Sequence, residues 1–305
     1  MNIPLNIRSQ VQPEFQPGFG LRQSAGVLEA RNLPALVTSG RIKRPSKTLP
    51  RISPLLLRWF TWYSRRYLRR HFHSLCVSQT GLPPASDELP LVVYANHASW
   101  WDALVFLVTK DQFFPDRAAF APIDAAMLER YKFFRKLGFF GVEQKARRGA
   151  VQFLRVAEAL LESPQTLLAI TPQSRFVDVR ERPLRFAPGL GHLATRTQQA
   201  AFVPFAVEYV FWEERLPEIL IRFGEPLEIR SMSLTHSSAD YWTARFEQEL
   251  TKTQEDLAEE AKCRNPADFQ TLLCGGAGQG GVYDWWRFWK AGVRGETFRK
   301  EHGNK

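Results

Sequence analysis

The chain has 305 residues, of which 44% are hydrophobic and 24% are charged, so it holds enough apolar material for a large core and is not a disordered tail. Its three cysteines are too few and too scattered for a disulfide framework or a four-ligand zinc site, and they indicate a reducing, cytosolic environment. The formal net charge of +10 favours a polyanionic partner, either nucleic acid or an anionic membrane surface.

Two segments precede the predicted globular core. Residues 1–50 are polar and proline-rich, with no sustained period and no apolar run of the signal-peptide kind, so we expect a mobile arm. Residues 51–80 hold a predicted helix, Pro54 to Phe72, in which aromatic residues alternate with arginines. Arg41 to His73 contains ten lysines and arginines and no acidic residue. This basic, amphipathic segment is typical of an interfacial helix, although a helix packed on the core with its arginines in water has the same pattern.

Residues 85–235 alternate between short β-like runs and helical stretches, which predicts an α/β core with one central mixed β-sheet flanked by helices. The predicted strands are Leu91–Ala95, Arg117–Ala121, Phe139–Val142, Thr166–Thr171, Phe202–Val210 and Ile219–Phe223. The predicted helices are Ala103–Lys110, Ala125–Leu137, Gly149–Leu161, Gly189–Gln199 and, in a helical extension at 236–274, Ala239–Lys262. Residues 275–305 form a Gly-rich linker and a basic, aromatic tail. No apolar run reaches the roughly 18 residues that a membrane-spanning helix needs.

One short segment carries the strongest chemical signal. It reads Asn96-His97-Ala-Ser99-Trp-Trp-Asp102 and lies where a predicted strand gives way to a helix, which is where α/β proteins form sites. A hydroxyl nucleophile needs a base that titrates near neutral pH, and the base needs an acceptor to fix its tautomer. His97 and Asp102 fill these roles if His97 lies in the turn and Asp102 in the first helical turn. A turn histidine beside a solvated acid is the structural alternative.

The pattern Asn96-His97-x-Ser99-x-x-Asp102 resembles the first motif of the PlsC-type glycerolipid acyltransferases, and the resemblance covers about residues 90–225. Residues 136–144 resemble the family's second motif, 171–175 occupy the place of its third, and 203–207 resemble its fourth. The third motif reads Pro-Gln173-Ser174-Arg175 where the family usually has Pro-Glu-Gly-Thr-Arg, and Gln144 replaces the usual arginine of the second. These departures concern positions that the family associates with the acceptor's glycerol and phosphate.

The resemblance implies a glycerol-3-phosphate acyltransferase-like fold and an O-acyltransferase. The donor would be an acyl thioester of acyl-carrier protein or coenzyme A, with no metal and no further cofactor, and the acceptor a hydroxyl of a lysophospholipid or related lipid. His97 would take the acceptor's proton, and Asp102 would orient and stabilise His97. The expected substrate-binding residues are Asn96, Ser99, Gln173, Ser174, Arg175, Lys145, Arg147 and Arg148. The expected location is cytoplasmic and peripheral, on an anionic surface at the inner face of the cytoplasmic membrane.

Two other classes of function stay open at this point. A catalytically weak, membrane-associated scaffold of the same family would account for the altered third motif. A basic nucleic-acid-binding protein would share the cations and aromatics, but no binding module is recognisable and the His97–Asp102 pattern would be left unexplained. We therefore expect no nucleic-acid partner. Liposome binding without thioester turnover would distinguish the scaffold from the enzyme.

Overall fold

The computed structural model describes residues 49–84, 88–143, 147–230 and 238–276. The predicted arm before residue 49 and the basic, aromatic tail after residue 276 lie outside the described residues. So do Gln144 and Lys145, the latter a predicted substrate-binding residue. None of the helices in the described segments is long and apolar enough to cross a membrane.

Nine strands of the described chain form one mixed sheet with helices on both faces, which confirms the predicted α/β class. The strands are β1 (Ser74–Ser78), β2 (Leu91–Ala95), β3 (Ala118–Asp124), β4 (Phe139–Val142), β5 (Thr166–Ile170), β6 (Gln199–Val210), β7 (Glu218–Phe223), β8 (Leu227–Arg230) and β9 (Phe269–Cys274). The α-helices are α1 (Pro54–His71), α2 (Asp102–Phe113), α3 (Ala125–Arg130), α4 (Arg147–Leu160), α5 (Gly189–Arg196) and α6 (Ala239–Cys263). Short 3₁₀ helices lie at Lys132–Leu137 and Pro266–Asp268.

The strand order is β4-β3-β5-β2-β6-β7-β1-β9, and β8 pairs with the first half of β6. The first five strands of this order, β4, β3, β5, β2 and β6, are parallel to one another. Strand β7 is antiparallel to β6, and β1 is parallel to β7. Strand β2 lies between β5 and β6, with Val93 opposite Ala169 on one side and Val203 on the other. The carboxyl end of β2, which leads to His97, is therefore central in the sheet.

The core has a layer on each face of the sheet because successive residues of a strand point to opposite sides. Leu91 and Val93 of β2 pack in the layer that includes α1 and α2. Val92 and Tyr94 pack in the layer that includes α4, α5 and α6. A strand buried on both faces reads as a continuous apolar run, and this makes β2 easy to recognise in the sequence.

Helix α1 is partly packed on the core and partly exposed. Pro54 occupies its first turn, where a missing N–H costs nothing, and Leu68 is fully buried against the sheet. Farther toward its start, Trp59 and Trp62 are 55% and 59% exposed. The helix thus packs on the core near its end and exposes apolar side chains to solvent near its start.

The predicted helix Ala125–Leu137 is wrong as a single element. It divides at Tyr131, whose φ of −121° and ψ of 69° are not helical. Gly138 then takes a φ of 97° as β4 begins. A Cβ at Gly138 would lie 2.2 Å from the Ala119 carbonyl oxygen, so both the positive φ and the close approach to β3 favour glycine here.

Candidate active site

His97 and Asp102 meet in the turn between β2 and α2. The His97 Nδ1 and Asp102 Oδ2 atoms are 2.9 Å apart, which is hydrogen-bond distance. Asp102 is the first residue of α2 and its side chain is 7% exposed, whereas the His97 side chain is 26% exposed. Because a carboxylate only accepts hydrogen bonds, Nδ1 carries the proton and Nε2 is the nitrogen left for a substrate. The acid is enclosed and the base remains accessible.

The Asp102 carboxylate is held at both oxygens. Oδ2 also accepts a hydrogen bond from the Ser99 N–H at 3.0 Å, and Oδ1 accepts one from the Tyr209 hydroxyl at 2.6 Å. The Ser99 hydroxyl accepts from the Trp101 N–H at 3.3 Å. Ser99, a predicted substrate-binding residue, therefore shapes the turn and holds the acid in place.

Asn96 joins the turn to strand β6 of the sheet. Its side-chain nitrogen donates to the Val207 carbonyl oxygen at 2.9 Å, and its side-chain oxygen accepts from the Val207 N–H at 2.8 Å. Asn96 is 2% exposed. The buried amide is engaged at both ends by β6, and the substrate-binding role stays a prediction.

The loop after β5 holds the backbone of His97. The Gln173 side-chain oxygen accepts from the His97 N–H at 3.1 Å, and the Val177 N–H donates to the His97 carbonyl oxygen at 2.8 Å. Gln173 is buried. This contact positions the backbone of the base, and binding of the acceptor by Gln173 stays a prediction. A glutamate oxygen could accept the same bond, so the change from the family's usual residue does not remove this contact.

Three exposed residues follow Gln173 in the same loop. Ser174 has a φ of 55°, a left-handed conformation in which glycine avoids the penalty of about 1 kcal/mol or more that a Cβ brings. Arg175, a predicted substrate-binding residue, forms an ion pair with Glu181. The ring of Phe176 lies beside the imidazole of His97, with 4.3 Å between ring centroids. The loop therefore holds the backbone of His97 and covers part of its ring.

The remaining predicted cations lie at the start of α4. Arg147 is the first residue of this helix, and Arg148, the second, is exposed.

Within the described segments, no group of three His, Cys, Asp or Glu side chains could hold a metal ion.

Two cavities adjoin the segments that carry the pair. The first, about 360 Å³, is mainly lined by apolar residues of α1, α2, β3 and the 3₁₀ helix at 132–137, and it includes Trp100 and Ala103 near Asp102 in the chain. The second, about 500 Å³, lies at the carboxyl ends of β3, β4 and β5 and includes Thr171 and Ser174 near Gln173. Such strand ends are where open α/β sheets bind ligands.

The chemistry that this arrangement supports is proton abstraction by a histidine whose tautomer a buried carboxylate fixes. Neither the comparison with protein-family models nor that with curated proteins finds a match.

Tyr209 is the residue of this site that the sequence analysis missed. It lies 107 positions after Asp102, in a run that reads simply as a buried strand. One signal could have identified it: Tyr209 shares a strand face with Phe205 and Val207 near the carboxyl end of β6, so its phenol points toward the layer that contains α2.

Proposed function

We propose that the protein is an O-acyltransferase that transfers a fatty acyl group from a thioester to a lipid hydroxyl, with His97 as the general base. The observation that carries the proposal is the 2.9 Å contact between His97 Nδ1 and the enclosed Asp102 carboxylate. General-base catalysis requires such a base at hydrogen-bond reach of the hydroxyl. The match to the motif order of the acyltransferases supports the choice of acyl transfer over other proton-transfer reactions.

In the proposed reaction, Nε2 of His97 removes the proton from the acceptor hydroxyl while the hydroxyl oxygen attacks the thioester carbonyl carbon. The tetrahedral intermediate then collapses, the carbon–sulfur bond breaks, and the proton on His97 passes to the departing thiolate. The products are the lipid ester and free thiol. Asp102 stabilises the imidazolium that forms between these steps, as the acid of a catalytic triad does.

The apolar cavity beside Trp100 supports binding of the donor's acyl chain. Its walls come largely from aromatic and aliphatic side chains, including Phe60, Leu107 and Phe133, and three alanines leave its interior open. Burying methylene groups against such walls contributes about 0.8 kcal/mol each. Trp100 and Ala103, on either side of Asp102 in the chain, line the cavity, and in this proposal the carbonyl of a bound chain lies toward the pair.

Narrowing this cavity should change the preferred chain length. Replacing Ala121, which lines it, with phenylalanine is expected to lower kcat/KM for a sixteen-carbon donor at least about tenfold relative to an eight-carbon donor, because displaced methylenes cost about 1–3 kcal/mol. The control is Ala118→Phe at an exposed position of the same strand, which should leave the preference unchanged. An unchanged preference in folded Ala121→Phe would remove the acyl chain from this cavity.

The cavity at the carboxyl ends of β3, β4 and β5 supports binding of the acceptor. Its walls are mostly apolar, and the hydroxyls of Thr171 and Ser174 and the carboxylate of Glu143 lie among them. This composition suits the glycerol or sugar part of a lysolipid, whose hydroxyls need hydrogen-bond partners next to an apolar chain. The acceptor in this proposal is a lysophospholipid or related lipid.

The proposed location is peripheral, on an anionic membrane surface at the cytoplasmic side. Helix α1 exposes Leu55, Trp59 and Trp62 and carries five arginines, Arg58, Arg65, Arg66, Arg69 and Arg70. Exposed aromatic residues among cations are what an interfacial helix uses to insert beside anionic headgroups. Because α1 also lines the apolar cavity, this contact would place the cavity near the lipids.

Removing the exposed tryptophans should weaken membrane binding. For a Trp59→Ser, Trp62→Ser double variant, we expect partitioning to vesicles with anionic lipid to fall at least about tenfold. Each indole that is lost removes more than about 1 kcal/mol of the binding free energy that comes from burying apolar surface in the membrane. Sedimentation with phosphatidylglycerol vesicles measures it. Tyr241→Ser, at an aromatic side chain of α6 that is 55% exposed, is the control. Equal sedimentation of wild type and double variant would contradict this placement of α1.

A further inference from the structure

Tyr209 reaches the acid of the pair from the opposite side of the site. Its hydroxyl donates to Asp102 Oδ1 at 2.6 Å, within the range of about 2.5–2.7 Å for a bond between a hydroxyl and a carboxylate. Burial, followed by the nearby Asp102 carboxylate, raises the pKa of Tyr209 above its usual value. The phenol is therefore protonated across the working pH range and acts as a donor.

The position of the phenol is fixed by packing. The ring centroids of Tyr209 and Phe72 are 5.7 Å apart. The backbone of Tyr209 pairs with Ile219 of β7 in the sheet. Phe72 in turn packs edge-on against Trp101, the residue before Asp102, at 4.9 Å between centroids. A rigid donor held in this way can fix the side chain that accepts from it.

The two carboxylate oxygens of Asp102 have different partners. Oδ2 accepts from His97 Nδ1 and from the Ser99 N–H, whereas Oδ1 accepts from Tyr209. Without the phenol, Oδ1 would lose its side-chain donor in an enclosed site, and the carboxylate could turn about its last bond. It would also become more basic, because a donated hydrogen bond withdraws negative charge from it. A more basic carboxylate attracts the imidazolium more strongly.

We propose that Tyr209 is a positioning residue of this site, which holds Asp102 in the orientation that serves His97 and limits how basic the pair becomes. The proposal rests on the proposed function for its kinetic consequences. Its structural part, the effect of Tyr209 on His97 through Asp102, applies to the protein without substrate as well.

Three other charged or titratable groups lie on the elements around the pair. From α1, the ring of His71 contacts Trp101 at 5.2 Å between centroids. From the loop after β5, Arg175 is paired with Glu181. From β6, Glu208 lies on the strand face opposite Tyr209. Tyr209 is the one of these four that donates a hydrogen bond to the Asp102 carboxylate.

Tyr209→Phe tests the proposal because it removes the hydroxyl and keeps the ring that packs on Phe72. The matched control is Tyr94→Phe. Tyr94 is a fully buried tyrosine of β2 whose hydroxyl has no hydrogen-bond partner in the described structure. Two measurements are made on wild type and both variants: the NMR titration of the His97 ring without substrate, and the pH dependence of kcat and KM for acyl transfer.

For Tyr209→Phe, we expect the midpoint of the His97 titration to move to higher pH, with kcat about tenfold lower and acceptor KM changed less than about twofold, as for loss of a general-base support. The acidic limb of the rate profile should move in the same direction. Tyr94→Phe should leave both measurements at wild-type values. An unchanged His97 titration in folded Tyr209→Phe would overturn the proposal. If no acyl transfer is found at all, the proposed function fails, and the His97 titration alone decides the role of Tyr209.

Discussion

Replacing His97 with alanine is expected to reduce acyl transfer at least about a hundredfold, because the acceptor hydroxyl then loses its general base. The side chain is partly exposed and makes its polar contact with Asp102, so the change should leave the fold intact. The single-turnover rate with a saturating donor measures the chemical step directly. His192→Ala, at an exposed histidine of α5, is the control and should keep the wild-type rate.

Asp102→Asn should produce a loss of similar size for a different reason. The carboxylate accepts three hydrogen bonds, from His97, Ser99 and Tyr209, and an amide presents a donor NH₂ to at least one of these donors. The variant also lacks the negative charge that stabilises the imidazolium, which should cost at least about a hundredfold in turnover. A rate within about threefold of wild type in either folded variant would exclude the proposed mechanism, since general-base catalysis contributes more than this.

Asn96→Ala is expected to cause the largest loss of stability at the site. The substitution leaves the N–H and carbonyl groups of Val207 without their side-chain partners, and Val207 is 2% exposed. Each unsatisfied buried group costs about 1–3 kcal/mol, so we expect the free energy of unfolding to fall by about 2–4 kcal/mol. Urea denaturation at constant pH measures the difference from wild type.

The control for Asn96→Ala is Gln112→Ala, which truncates an exposed amide on α2 and should change the free energy of unfolding by less than about 0.5 kcal/mol. Activity should fall in Asn96→Ala as well, since His97 follows directly in the chain. A loss of less than about 1 kcal/mol would show that Asn96 does not join the turn to β6.

The sequence predicts the parts of the fold whose pattern is local. Strands β2 and β4 have the predicted bounds, because β2 is a continuous apolar run and β4 follows the turn glycine Gly138. It does not predict β1, β8 or β9. All three are strands because partners distant in the chain complete their hydrogen bonds.

The candidate site divides in the same way. His97 and Asp102 are five residues apart, so a turn followed by a helix start brings them together, and local reasoning suffices. The hydrogen bonds of Asn96 and Gln173 depend on Val207 in β6 and on the position of the loop after β5, and neither follows from local sequence. The contact of Tyr209 likewise exists only once β6 lies beside β2.

The most direct test of acyl transfer is to incubate the purified protein with isotope-labelled acyl-coenzyme A or acyl-carrier protein and a panel of lysophospholipids and lipid glycosides. Mass spectrometry then identifies the products. We predict a new lipid ester that carries the labelled acyl group, formed with release of one thiol per ester and absent with His97→Ala. Vesicle binding without thioester consumption for any acceptor would contradict the enzyme and favour a membrane-associated scaffold.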